Sequence, residues 1–175
     1  STQARENVPW YQHKELGYNY RMSNILAGIG RGQLRHLEEH RIRKKEIYDR
    51  YQRSLRGLPL TMNPFLEYTE PNFWLSCILL DEGTKVTPHE IREKLEKYHV
   101  EARPIWKPMH MQPIYRMNGF VTRQGNGRGR KALDVGMDIF QRGLCLPSDN
   151  KMTAKEQEQI IEIIKRCFVF NTIVP

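Results

Sequence analysis

Two short segments concentrate the residues that could do chemistry. The first is Gly17-Tyr18-Asn19-Tyr20-Arg21-Met22-Ser23-Asn24-Ile25-Leu26-Ala27-Gly28-Ile29-Gly30, an aromatic–polar–aromatic–basic loop that runs straight into a helix. Ser23 is placed to cap that helix, because its hydroxyl can accept a bond from a free backbone N–H of the first turn. Asn19 and Arg21 lie just ahead of the cap, where loop donors and a helix N-terminus can converge on an anion. The second segment is Arg103-Pro104-Ile105-Trp106-Lys107-Pro108-Met109-His110-Met111-Gln112-Pro113-Ile114-Tyr115. It gathers two cations, a Trp, a His and a Tyr in a loop stiffened by Pro104, Pro108 and Pro113. Such a loop holds polar groups in fixed geometry, as ligand sites require. The competing reading is a surface loop whose Trp106 and Met109 cover the core, with His110 an ordinary core or surface histidine.

The elements that must position these loops follow from periodicity and stop signals. Residues 1–23 read as an arm. Over 24–57, Leu34, Leu37, Ile42, Ile47, Tyr48, Tyr51 and Leu55 recur at mostly three- to five-residue spacing with charge opposite, predicting one long amphipathic helix or a helix pair. Gly28, Gly30 and Gly32 interrupt its start; with no strand before them they suit close helix packing better than a phosphate loop. Gly57 and Pro59 then stop the helix. Residues 58–170 read as a small domain and 171–175 as a tail. In that domain a Pro-rich connection over 58–72 leads to a strand from Phe73 to Leu80. Thr87-Pro88-His89-Glu90 is a capping box with Pro at the first helical position, opening a helix with Ile91 and Leu95 facing inward. Val100–Arg103 is a short strand candidate. Any helix over 105–117 must be short. Residues 124–130 form a Gly- and Arg-rich loop, and 132–141 a helix. Leu144-Cys145-Leu146 is a buried strand. A second capping box at Thr153 to Glu156 opens a last helix burying Ile160, Ile163, Ile164 and Cys167. Helices and about three strands in this order predict an α/β two-layer sandwich, a small mostly antiparallel sheet with helices on one face.

Composition narrows the function class. The formal net charge is +8, from 28 Lys and Arg against 20 Asp and Glu. No run of 18 apolar residues exists, so a membrane span is not expected. Cys77, Cys145 and Cys167 are an odd, widely spaced set that forms neither a disulfide framework nor a zinc pattern. They read as buried or half-buried thiols in a reducing, cytoplasmic setting, and no metal site is expected.

The opening block, the Arg103–Tyr115 block and the Gly143-Leu144-Cys145-Leu146-Pro147 ending followed by a capped helix also carry a resemblance. In this order they resemble the C-terminal portion of the DegT/DnrJ/EryC1/StrS sugar aminotransferases, which use pyridoxal phosphate. The resemblance implies the C-terminal domain of a fold type I aminotransferase, acting as a homodimer with active sites at the interface. It implies that the lysine holding the cofactor lies upstream and is absent from this chain, leaving it inactive alone and without a catalytic residue of its own. Glutamate is the implied amino donor and a nucleotide-linked keto-sugar the implied acceptor, in bacterial polysaccharide or glycan synthesis. Asn19, with Arg21 near it, is implied to reach the cofactor phosphate of the partner subunit. Trp106, Lys107, His110 and Tyr115 are implied to lie by the substrate. The Gly125–Arg130 loop is longer and more basic than the family pattern.

Two other readings compete. A basic module binding nucleic acid or another polyanion would use Arg41, Arg43, Lys44, Lys45 and the Arg128 loop, although no helix-turn-helix, zinc-finger or aromatic RNP-type pattern accompanies them. A dimerisation domain with no ligand of its own is the third.

Overall fold

The computed structural model describes residues 15–122 and 134–169, together with Asn7, Pro9, Gln12, Gly125 and Asn126. The chain divides into two compact units, residues 1–39 and 40–175. In the first, Ser23 Oγ accepts the N–H of Leu26 at 3.3 Å and opens α1, Asn24–Leu34. Ile25, Leu26 and Ile29 are well exposed, and no residue of α1 is buried. A Cβ added at Gly28, Gly30 or Gly32 meets nothing within 4 Å. The close helix approach expected of these glycines is therefore not made among the described residues.

The predicted long helix is a pair, with α2 running Leu37–Ser54. Its stripe is buried only over the later turns, at Ile47, Tyr48, Tyr51 and the following Leu55, whereas Leu34, Leu37 and Ile42 stay exposed. Gly57 turns the chain at φ +88°, a backbone region open to glycine at no steric cost. The Pro-rich connection hides a strand that its composition did not suggest, β1, Leu60–Met62. The strand expected from Phe73 starts later, as β2, Ser76–Leu80. Asn72 Oδ1 accepts the Trp74 N–H at 3.0 Å and Phe73 sits at φ 52°, so a side-chain-closed turn occupies the first residues of the apolar run. The Phe73 ring instead packs against Phe65 and Tyr48, at 4.8 and 5.4 Å between centroids.

Helix α3, Pro88–Glu96, opens with the predicted box: Thr87 N–H donates to Glu90 Oε2 at 2.7 Å and Glu90 N–H to Thr87 Oγ1 at 3.2 Å. These bonds hold the Glu90 carboxyl below the usual carboxylate range. Next come β3, Arg103–Pro104, two single 3₁₀ turns, Met109–Met111 and Pro113–Tyr115, and the pair β4, Val121–Thr122, and β5, Gly125–Asn126. The rest of the basic loop over 123–130 lies outside the described residues, as do Ala132, Leu133 and the tail beyond Val169. Helix α4, Val135–Arg142, leads directly into β6, Gly143–Leu146. The second box, with Thr153 N–H donating to Glu156 Oε2 at 2.7 Å, opens α5, Ala154–Val169.

The sheet is antiparallel throughout, in the order β1-β2-β6-β3, one strand more than the three expected. Ile78, Leu80, Leu144 and Leu146 of the sheet join Ile47, Tyr51, Leu55, Ile91, Leu95, Ile160, Ile161 and Ile164 of α2, α3, α5 and the α2 end in one core, the sandwich expected. Polar ties fix α2 to the segment between β6 and α5. Tyr51 Oη donates to the Pro147 carbonyl at 3.0 Å, the buried Gln157 amide to the Ile47 carbonyl at 2.8 Å, and Arg43 to the Met152 carbonyl at 2.7 Å.

Gly143 is where α4 becomes β6 with no intervening loop. A Cβ there would collide with the Ile139 carbonyl and the Ile105 side chain. Gly143→Ala is expected to destabilise the protein by about 1–3 kcal/mol, the usual range for overpacking. Urea unfolding would show this as a lower midpoint at unchanged slope.

Candidate functional site

The arm and the Pro-punctuated loop belong to different units and are described separately. In the arm, Asn19 Oδ1 accepts the Arg21 N–H at 3.0 Å. This closes a local turn and leaves the carboxamide NH2 as the donating end of the side chain. Tyr18 and Tyr20 stack beside it at 5.9 Å. Asn19 and Arg21 are both exposed, four and two residues ahead of the Ser23 cap. A neutral donor beside a guanidinium on such a turn suits a phosphate group, because hydrogen bonds to a charged acceptor are the strong ones.

In the second unit, β3 delivers the chain into the loop, with Arg103 opposite Cys145 and Pro104 opposite Leu144. The Arg103 guanidinium pairs with Glu101 at 2.7 Å. Trp106 is 62% exposed and Met109 equally so, so neither covers the core, contrary to the plain surface-loop reading. The Trp106 ring lies instead 5.7 Å from that of Trp74, itself 61% exposed. Lys107 is exposed, and its carbonyl accepts from Gln112 Nε2 at 3.4 Å. His110 is the best-anchored member. Its Nε2 meets Asp134 Oδ2 at 2.6 Å, and its ring stacks on Phe120 at 3.8 Å and 20°. Asp134 also caps α4, its Oδ1 accepting the Met137 N–H at 2.9 Å. Trp106 and Lys107 lie between β3 and the first 3₁₀ turn, and His110 is the middle residue of that turn. Tyr115 ends the second turn, and among the described residues no hydrogen bond or ring contact joins it to them.

Three neighbours of this loop were not singled out from the sequence. Asp134 was placed inside the helix expected from Ala132, and its spacing to Met137, the first-turn donor, is the signal that marks it as a cap. Trp74 belongs to the apolar run that reads as strand from Phe73. Phe120 has no local signal, since only the fold brings it to His110.

The cations of the polyanion reading are engaged within the fold. Arg43 pairs with Glu46 at 2.9 Å and Lys45 with Asp49 at 2.6 Å. Lys44 donates to the Ser148 carbonyl, and burial lowers its pKa against the opposing pull of Asp149. Arg128 lies outside the described residues. The three thiols are free. Cys77 and Cys145 face each other across β2 and β6, Sγ to Sγ 3.6 Å. Their hydrogen bond, with burial, pushes the Cys77 thiol up, and the same bond draws Cys145 down against the opposing effect of burial. No helix among the described residues is long and apolar enough to cross a membrane.

The chain matches the model of the DegT/DnrJ/EryC1/StrS aminotransferase family over residues 2–165. A candidate pyridoxal phosphate-dependent aminotransferase of Bacillus subtilis, EpsN, is 39% identical over 169 residues, which is 96% of this chain and 42% of EpsN. GDP-perosamine synthase of Vibrio cholerae is 30% identical over 158 residues, 90% of this chain and 41% of the synthase. The aminotransferase TlmJ of Streptoalloteichus hindustanus superposes with a TM-score of 0.76 at 18% identity, over 98% of this chain and 43% of TlmJ. The chain therefore spans about two fifths of the length of the relatives it matches.

Proposed function

Because the chain belongs to the DegT/DnrJ/EryC1/StrS aminotransferase family, we propose that it is the C-terminal part of a pyridoxal phosphate-dependent aminotransferase. Its substrate is a nucleotide-linked keto-sugar, glutamate is the amino donor, and the product feeds bacterial polysaccharide or glycan synthesis. One observation carries this reading: a single family match takes in the arm, the Pro-punctuated loop and both capped helices together. The substrate class is supported by a relative named for a nucleoside-diphosphate-linked amino sugar. The free thiols suit a reducing compartment, and we assign the enzyme to the cytoplasm.

When bound, pyridoxal phosphate supplies the electron sink through which an amino group passes from donor to acceptor. The donors of the arm fit its phosphate end. The Asn19 NH2 donates to a phosphate oxygen and Arg21 adds positive charge. In the homodimer this arm serves the cofactor of the second subunit, and the exposed apolar side of α1, Ile25, Leu26 and Ile29, is covered by subunit or domain contacts. Lys107 draws in the diphosphate of the substrate as a point charge. Trp106 offers a flat apolar face to a sugar or base ring. His110 and Tyr115 supply hydrogen-bonding groups to the sugar. Residues 1–23 act as the arm, 24–57 as the linking helices and 58–170 as the small domain around the substrate.

The test is transamination by the full-length protein. Given pyridoxal phosphate, glutamate and nucleotide-linked 4-keto sugars, it should release 2-oxoglutarate and an amino sugar in equal amounts. A cofactor-loaded protein that aminates none of a panel of such sugars would contradict the reading. Lys107→Ala is expected to raise KM for the nucleotide-sugar about tenfold, the loss of one charge-assisted contact of roughly 1.4 kcal/mol. The KM for glutamate should stay within twofold, and steady-state kinetics on both substrates reads the difference.

A further inference from the structure

His110 is pinned more firmly than any other polar residue of its loop. Its ring is held edge-on by Asp134, whose Oδ2 lies 2.6 Å from Nε2, and face-on by Phe120 at 3.8 Å. Only 22% of the His110 side chain and 15% of the Asp134 side chain reach solvent. Asp134 is itself immobilised, because its other oxygen caps α4 through the Met137 N–H. The loop cannot drift from this anchor, since the Pro108 ring lies against Gly136 in the first turn of the same helix, 3.3 Å from where a Cβ would stand. A carboxylate only accepts hydrogen bonds, so the hydrogen of this short contact sits on Nε2. In the neutral ring Nδ1 then carries the lone pair, and it has no hydrogen-bond partner among the described residues.

The geometry points to Asp134 as a positioning residue: its bond to His110 Nε2 fixes the imidazole so that Nδ1 is the ring atom offered to the substrate. This rests on the proposed reading that the Trp106–His110 loop meets the sugar. It adds the N-cap residue of α4, which touches no substrate and acts through His110, in the way that carboxylates orient imidazoles elsewhere. A purely structural role would require only the cap on α4. Two substitutions separate the roles. Asp134→Ser keeps a good N-cap but is too short to reach His110. Asp134→Asn keeps the cap and can still accept the Nε2 hydrogen.

The first measurement is nitrogen-edited NMR of full-length protein with labelled histidine. The wild type and Asp134→Asn should each show a downfield, slowly exchanging His110 Nε2–H signal, and Asp134→Ser should lack it. The second is kinetic. Asp134→Ser should lower kcat/KM for the nucleotide-sugar at least tenfold, with the glutamate half-reaction within threefold of wild type, while Asp134→Asn recovers most of the loss. Absence of the bonded proton in the wild type overturns the proposal without any variant. So does a Ser variant that loses the signal yet keeps its sugar kinetics, or an equal loss in the Ser and Asn variants. Failure of the loop reading is distinguishable, because Lys107→Ala would then leave the KM for the sugar unchanged while the His110 proton signal persisted.

Discussion

Asn19→Ala is expected to weaken pyridoxal phosphate binding by the full-length protein about 10- to 100-fold. A hydrogen bond to a charged acceptor contributes about 1.5–3 kcal/mol, and each 1.4 kcal/mol is a factor of ten. Part of the loss has a second origin. Asn19 Oδ1 accepts the Arg21 N–H, so alanine also frees the turn that presents Arg21. Asn19→Asp separates the two contributions. It keeps an acceptor for the Arg21 N–H and therefore the turn, but it replaces the donating NH2 with a negative charge facing a phosphate dianion. The aspartate variant should bind cofactor more weakly than alanine does, although its loop is better ordered. Titration of cofactor-free protein by fluorescence measures all three affinities. Asn19 is exposed, so the melting temperature of the cofactor-free variants should match the wild type. Unchanged affinity in both variants would remove the arm from the cofactor site.

What the sequence disclosed depended on how local each feature was. The two capping boxes are written in four residues each, Thr87 to Glu90 and Thr153 to Glu156, and both form as read. The β6 strand was legible because Leu144, Cys145 and Leu146 form an apolar run bounded by Gly143 and Pro147. Strand β1 was not, because three residues carry no period of their own and pair only once β2 lies beside them. Phe73 and Trp74 looked like strand because they are apolar, yet the Asn72 side chain closes a turn over them, and a local side-chain bond of this kind competes directly with sheet pairing. The candidate site divides in the same way. Trp106, Lys107 and His110 were visible as a cluster within one loop. Asp134 lies 24 residues beyond His110 and Phe120 ten beyond it, so the clamp on the imidazole is a product of the fold. The α1 face shows the converse: its periodicity is plain, but what covers Ile25 and Ile29 is not written in their own spacing.

Ile164→Ala should have the largest effect on stability, about 2–5 kcal/mol, the range for deleting most of a buried branched side chain and leaving a cavity. Ile164 is fully buried on α5, in one cluster with Ile91 and Leu95 of α3 and Leu144 of β6. The α3–α5 contact is an extensive helix pairing, and both helices rest on the sheet face that carries Ile78 and Leu144. Arg103 and Pro104 pair with β6, so the loop that follows depends on the stability of β6 and of the helices behind it. Ile163→Ala, one residue away but only partly buried, should cost clearly less, since less apolar area returns to water and the neighbours can close the gap. Urea unfolding of the two variants side by side measures the difference. Equal midpoints would mean that α5 packs through a face other than the one bearing Ile160, Ile164 and Cys167. Where the Ile164 variant remains folded at low temperature, its heat inactivation should begin with loss of the His110 Nε2–H signal, because Asp134 reaches His110 from α4, which is joined without a loop to the strand that Ile164 supports.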